Sequence, residues 1–163
     1  MNTIINLLEE SSKRFANNPY LFEKKTDKYE SITFKETKDE AYKVAAGLLT
    51  LGILKGDKVA LISESRTDWV TSELGILHTG AVSVPLSIML KEGMDLKFRL
   101  EHSETRFVII SGNHLEKINS VKKELKNLEK VIILDPKGSY ESDEIFMGDL
   151  KKAGEEYLKN SYS

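Results

Sequence analysis

Three histidines, two short polar turns and two lysine pairs are the places in this 163-residue chain where chemistry could reside. His78, His102 and His114 have no second histidine or carboxylate at the helical spacing that builds a metal site, so each reads as a helix-surface or helix-end residue. Ser111-Gly112-Asn113 lies between an apolar run and a helical pattern, where backbone N–H groups could face an anion, but an ordinary tight turn with a cap explains it more simply. Ser63-Glu64-Ser65-Arg66-Thr67 follows a second apolar run, at the kind of strand end where α/β proteins bind ligands. Ser65 as an N-cap, with Asp68 three residues on, accounts for it without a ligand. Lys122-Lys123 and Lys151-Lys152 read as solvated helix faces. No G-x-G-x-x-G follows a strand, and neither G-x-x-x-x-G-K-[ST] nor G-x-S-x-G occurs. The residues therefore assign no catalytic, cofactor-binding or metal-binding position.

These turns are held by elements whose pattern is clear around residues 47–87. A helix closes at Leu48 and Leu51, Gly52 can take the left-handed conformation that ends it, and Lys55-Gly56-Asp57 turns the chain into Val59-Ala60-Leu61-Ile62. A second helix is expected over residues 67–79, with Trp69 and Val70 on its apolar side, and Ala81-Val82-Ser83-Val84 follows as a strand ended by Pro85. Runs that are apolar at consecutive positions are buried on both faces, which points to parallel strands joined by crossover helices.

The pattern recurs on either side. Residues 3–16 form an amphipathic helix, and residues 20–22 and 29–32 flank the polar turn Thr26-Asp27-Lys28 as a hairpin. Thr33 and Glu36 have capping-box spacing ahead of a helix that continues to Gly52. Downstream come a helix over residues 92–103, a strand over 107–110, a helical stripe of Leu115, Ile118, Val121, Leu125 and Leu128, and a strand over 131–134. A polar, mobile loop over 137–144 leads to a last helix bearing Met147, Leu150, Gly154 and Tyr157, which stops in a polar tail over 159–163. The expected fold is α/β: three layers, a largely parallel sheet with helices on both faces, plus an N-terminal helix and β-hairpin, as a single domain over residues 1–163.

Composition narrows the function classes. Apolar residues make up 40%, charged residues 31%, and the net charge is −2, which suits a folded domain and not a nucleic-acid-binding surface. No cysteine is present, so a disulfide framework and a thiolate metal site are excluded, in keeping with a reducing compartment. Ile4, Ile5, Leu7 and Leu8 are followed at once by Glu9 and Glu10, unlike a secretory leader, and the expected location is the cytoplasm. Residues 74–90 carry no formal charge but fall short of the roughly twenty that span a bilayer, and Gly75, His78, Gly80 and Pro85 interrupt them. Residues 84–94, VPLSIMLKEGM, crowd Leu86, Ile88, Met89, Leu90 and Met94 beside only two charges. That is more apolar than an ordinary loop, and the stretch is expected to lie in a surface patch that meets another copy.

Three blocks of sequence also carry a resemblance. Ile32-Thr33-Phe34-Lys35-Glu36, then Ala45-Ala46-Gly47-Leu48 with Gly52-Ile53 and Lys55-Gly56-Asp57-Lys58-Val59-Ala60, and finally the run from Leu74-Gly75-Ile76 through Gly80-Ala81-Val82 to Val84-Pro85-Leu86, together resemble the N-terminal part of AMP-forming acyl-CoA synthetases. Ser65-Arg66-Thr67-Asp68-Trp69 and Leu100-Glu101-His102-Ser103-Glu104 are most similar to the long-chain fatty acid branch. The resemblance covers residues 3–160 and implies membership of the adenylate-forming superfamily. Such enzymes use ATP and magnesium to make an acyl-adenylate, from which coenzyme A displaces AMP.

The motifs on which that chemistry rests in the family are a Ser/Thr/Gly-rich phosphate loop, a Tyr-x-x-Thr-Glu type motif, a ribose-binding aspartate and a lysine in a mobile C-terminal domain. None occurs in this sequence, and no site residue is carried over. The resemblance thus implies the N-terminal part of the large adenylation domain of a longer ligase, inactive by itself. Its partners would be the remainder of its own polypeptide and, in the whole enzyme, a fatty acid, with peripheral membrane association open. A second class stays open beside it: a free-standing flavodoxin-like or receiver-like module. Against that class, the four runs end in Ser63, Pro85, Ser111 and Asp135, which is no acidic cluster, and Glu64 would repel a phosphate.

Overall fold

Val59 to Ile62, Phe107 to Ile110 and Val131 to Ile133 are almost completely withdrawn from solvent at consecutive positions, so both faces of their strands are covered. The structure, a computed structural model, describes residues 3–91 and 93–161. Its elements run α1 (Ile4–Arg14), β1 (Pro19–Lys25), β2 (Lys28–Thr33), α2 (Phe34–Thr50), β3 (Lys58–Ile62), α3 (Thr67–His78), β4 (Val82–Pro85), α4 (Met94–His102), β5 (Thr105–Ile110), α5 (Leu115–Asn119), β6 (Lys130–Ile133), β7 (Glu144–Phe146) and α6 (Met147–Ser161). The order β4-β3-β5-β6-β7 makes one five-stranded sheet in which every pair is parallel, and β1 and β2 form a separate antiparallel hairpin.

Alternation along each buried strand divides the core in two. Val59, Leu61, Phe107, Ile109 and Ile132 face one layer with Val44 and Leu48 of α2, Ile76 of α3 and Leu150 of α6. Ala60, Ile62, Val108, Ile110, Val131 and Ile133 face the other with Leu96 and Leu100 of α4, Leu115 and Ile118 of α5, Val121 and Leu125. The expected three layers are present. Helix α1 is added outside them, with Leu8 packed against Ala41 and Leu74.

Local signals explain the boundaries. Glu36 N donates to Thr33 Oγ1 at 3.2 Å while Thr33 N donates to Glu36 Oε2 at 2.8 Å, which completes the capping box that starts α2. Beyond its end, Gly52 has φ +81°, the left-handed conformation that costs glycine nothing.

Five expectations about the elements need correction, the first being that Ala81 to Val84 is covered on both faces: β4 is the edge strand, and Val82 is 48% exposed. The stripe from Leu115 to Leu128 is not one helix: a 3-10 turn (Gly112–His114), α5, a second 3-10 turn (Lys122–Glu124) and an extended Leu125 share it. The apolar side chains still reach one core because both helix types repeat every three to four residues. The polar 137–144 loop ends in a fifth strand, since Glu144 begins β7, and Lys137, Glu141, Asp143 and Glu144 make ion pairs. Lys122, read as solvated, is 6% exposed at its side chain and lies 2.9 Å from Glu141, 3.2 Å from Asp143 and 3.3 Å from Glu144. The last helix runs through Lys159 to Ser161 instead of stopping in a tail. The expected helix start at Glu92 and the tail residues Tyr162 and Ser163 lie outside the described residues.

Candidate binding site at the carboxyl edge of the sheet

In a parallel sheet, ligands bind beyond the carboxyl ends of the strands where the strand order reverses. Here β4 lies on one side of β3 and β5 on the other, so the reversal falls between Ser63-Glu64 and Ser111-Gly112-Asn113. The opening is bridged: Asn113 Nδ2 donates to Glu64 Oε1 at 2.9 Å, and His114 Nε2 lies 3.3 Å from the same oxygen. Burial alone would raise the Glu64 pKa, but it is outweighed by the Asn113 hydrogen bond, the backbone and the nearby imidazole, and the carboxyl is pushed down to about 2. A carboxylate this firmly ionised does not suit a phosphate.

The two places where backbone N–H groups could hold an anion are filled by the chain's own carboxylates. Gly112 N donates to Asp135 Oδ2 at 2.8 Å. Thr67 N donates to Glu23 Oε2 at 2.8 Å, so the hairpin caps α3 from 44 residues away. Ser65 is therefore not the cap. The N-cap position belongs to Arg66, which makes no side-chain cap bond because a guanidinium has no acceptor to offer the helix N–H groups. Arg66 Nη1 lies 2.8 Å and 3.1 Å from the two Asp135 oxygens, and Nη2 lies 3.1 Å from Asp68 Oδ2. Lys151 continues the chain of charges, 3.1 Å from Asp68 and 3.0 Å from Glu40, and so is a buttress between α6, α3 and α2 and not a solvated face.

The other singled-out residues fall apart in space. His102 stacks on Phe98 at 5.5 Å, and His78 meets the Tyr42 ring edge-on at 4.7 Å, half-buried, with its pKa lowered by burial. Among the described residues no group of three or more His, Cys, Asp or Glu could hold a metal ion. No helix among them is long and apolar enough to cross a membrane.

A cavity of about 370 Å³ opens beside Arg66, lined by Leu21, Phe22, Ser65, Arg66, Thr67, Trp69 and Val70. Trp69 and Val70, expected in the core, are only partly buried and form its wall. The sequence offered one signal for it, the hairpin's apolar Leu21-Phe22, but nothing local says that the hairpin folds over α3. A second cavity of about 420 Å³ lies at the opposite edge among Asp57, Lys58, Glu104, Arg106, Lys126, Asn127 and Glu129. Its charges are largely spent on one another: Arg106 holds Asp57 at 2.5 Å and Glu129 at 2.8 Å, and Lys58 holds Glu104 at 3.1 Å.

The fold is an α/β domain whose two candidate anion positions, Thr67 N and Gly112 N, hold the chain's own carboxylates. The chain matches the AMP-binding enzyme family over residues 8–158 and belongs to it. It is 32% identical over 107 residues to the uncharacterized acyl-CoA ligase YtcI of Bacillus subtilis (strain 168), a match that spans 66% of this chain and 20% of that protein. It is 25% identical over 105 residues to a medium/long-chain-fatty-acid–CoA/3-oxocholest-4-en-26-oate–CoA ligase of Mycobacterium marinum (strain ATCC BAA-535 / M), across 64% of this chain and 19% of that one. Among solved structures, the anthranilate CoA ligase AuaEII in complex with anthranoyl-AMP superposes with a TM-score of 0.77 at 28% identity, over 91% of this chain and 26% of that one. Coronafacic acid ligase from Pectobacterium brasiliense shares the fold with a TM-score of 0.83 at 21% identity, over 93% of this chain and 29% of that one. The chain thus spans about a fifth of the length of the curated relatives that it matches.

Proposed function

We propose that residues 1–163 are the N-terminal scaffold of an ATP-dependent, AMP-forming acyl-CoA ligase, part of its large adenylation domain, and that the whole enzyme acts on long-chain fatty acids. The observation that carries this reading is the AMP-binding family match over residues 8–158. The fatty-acid substrate rests on the resemblance of residues 65–69 and 100–104 and on the name of the Mycobacterium marinum relative. ATP, magnesium and coenzyme A belong to the whole enzyme.

The scaffold alone makes no adenylate. That reaction needs donors and a cation set around a triphosphate. In this chain the N–H groups of Thr67 and Gly112 already hold Glu23 and Asp135. A free-standing flavodoxin- or receiver-like module fits less well, because the family match covers nearly the whole chain and the carboxyl edge is closed by ion pairs.

The partner of the scaffold is the rest of its own polypeptide, and its location is the cytoplasm, with contact to a membrane surface in the whole enzyme. The apolar stretch 84–94 supports self-association in part. Met89 and Met94 are 82% and 87% exposed, whereas Leu86 and Ile88 pack against the second core layer. Lys117 Nζ pins the stretch by donating to the carbonyl oxygens of Ile88 and Leu90.

The test is ATP–pyrophosphate exchange with a series of saturated fatty acids, using the protein expressed from its whole reading frame beside residues 1–163. Exchange that rises with chain length in the former and is missing in the latter is expected. Exchange by residues 1–163 alone, or a reading frame without a Ser/Thr/Gly-rich phosphate loop, would refute the reading.

A further inference from the structure

The cavity between the hairpin and α3 has the make-up of a small-molecule site. Pockets of a few hundred Å³ with apolar and aromatic walls and a few polar groups are where small ligands bind. Here Leu21, Phe22, Trp69 and Val70 supply the walls in about 370 Å³.

Its unengaged polar groups are mostly donors. The Trp69 indole N–H has no hydrogen-bond partner among the described residues and is not buried, and Ser65 is exposed with a free hydroxyl. Arg66, also in the wall, offers the cavity no free donor, since both of its Nη atoms are engaged and its Nε is sealed from solvent.

Charge then selects among acceptors. Arg66 is matched by Asp135 and Asp68, and Lys25, next to the cavity, is matched by Glu23 at 2.8 Å. A carboxylate ligand would lose its hydration and find no uncommitted cation. A neutral carbonyl carries no such penalty.

We propose that this cavity binds a small uncharged molecule with an apolar body, whose carbonyl oxygen accepts a hydrogen bond from the Trp69 indole N–H. This inference does not depend on which acyl substrate the parent takes.

Trp69 is the only tryptophan, so its indole gives one unambiguous ¹H–¹⁵N cross-peak. The experiment titrates the chain with acetophenone, benzoate and toluene while following that peak. Acetophenone is expected to shift it downfield and saturably. Toluene, without the acceptor, and benzoate, with a charge, are each expected to bind about tenfold more weakly. Phe22→Ala should weaken acetophenone by a similar factor, because Phe22 is a wall that is itself 63% exposed, whereas Phe98→Ala, 65% exposed on α4, should change nothing. If Phe22→Ala perturbs the fold, saturable shifts of the Leu21, Thr67 and Val70 amides in the unmodified chain locate the ligand instead. A linear, unsaturated shift, benzoate binding as tightly as acetophenone, or saturation without movement of those amides overturns the proposal.

Discussion

Glu23 Oε2 on the hairpin accepts the backbone N–H of Thr67 at the start of α3, at 2.8 Å. This one bond serves as a helix cap, as an anion at the positive end of the helix dipole and as the tie that holds the hairpin over the cavity. Burial would raise the Glu23 pKa, but Lys25 and Thr67 outweigh it and the pKa is lowered. Its stabilisation is therefore present above the usual carboxylate range and is lost as the pH falls below it. Glu23→Ala is expected to lower the unfolding free energy at neutral pH by about 1 kcal/mol, and Glu23→Gln by less. Urea denaturation measures both; an unchanged midpoint for Glu23→Ala would remove the cap from the account.

Gly154 of α6 crosses Gly47 of α2 with no room between the backbones. A Cβ on Gly154 would lie 2.0 Å from the Lys43 carbonyl oxygen and 2.6 Å from Gly47 N. Both obstacles are backbone, so relief requires the helices to separate and the Leu150 side of the core to open. Gly154→Ala is expected to cost about 3 kcal/mol, at the upper end for overpacking. Thermal denaturation of this variant beside Ala153→Gly, which alters helix propensity without the clash, separates the two effects.

Lys122 holds the returning loop to the sheet. Glu144 has no exposed side-chain surface and is faced by Lys122 at 3.3 Å and Lys137 at 2.5 Å. Burial would raise its pKa, but Lys137, a backbone N–H from Glu141 and Lys122 outweigh it, so it stays ionised. Lys122→Met leaves that carboxylate short of one partner and is expected to cost about 3 kcal/mol. The double variant with Glu144→Gln should recover part of the loss, and strict additivity in a double-mutant cycle would mean that the pair is uncoupled.

The same residue marks where sequence stops being informative. The inner strands were legible because Val59 to Ile62, Phe107 to Ile110 and Val131 to Ile133 lack alternation, which only burial on both faces explains. Strand β7 was not, since it has three residues and opens with Glu144, a charge that belongs inside only once Lys122 is known to reach it. The stripe from Leu115 to Leu128 concealed its breaks because α and 3-10 turns present apolar residues at nearly the same interval. Outside the candidate site, the Thr33–Glu36 cap that starts α2 was legible from its spacing of three. The Glu23–Thr67 cap and the Arg66–Asp135 pair span 44 and 69 residues, and no local pattern announces them.

Glu64 gives the fold an acid limb. Its carboxyl is held at about 2 against an ordinary 4.5, so its contribution is complete above pH 4.5 and is lost as the pH falls toward 2. Glu64→Gln should flatten the fall of stability across that window and lower stability at neutral pH, where the bond from Asn113 would lose its charged acceptor. Denaturant midpoints measured from pH 6 down to pH 2 test this, with an identical slope for the variant as the adverse result.

The proposed function makes residues 1–163 a scaffold that leaves nucleotide chemistry to the rest of a ligase. Isothermal calorimetry of residues 1–163 with magnesium and ATP tests it most directly. Filled anion positions at Thr67 and Gly112 predict no saturable heat, with or without a fatty acid present. Stoichiometric binding at micromolar affinity would contradict the claim and make the chain a nucleotide-binding module in its own right.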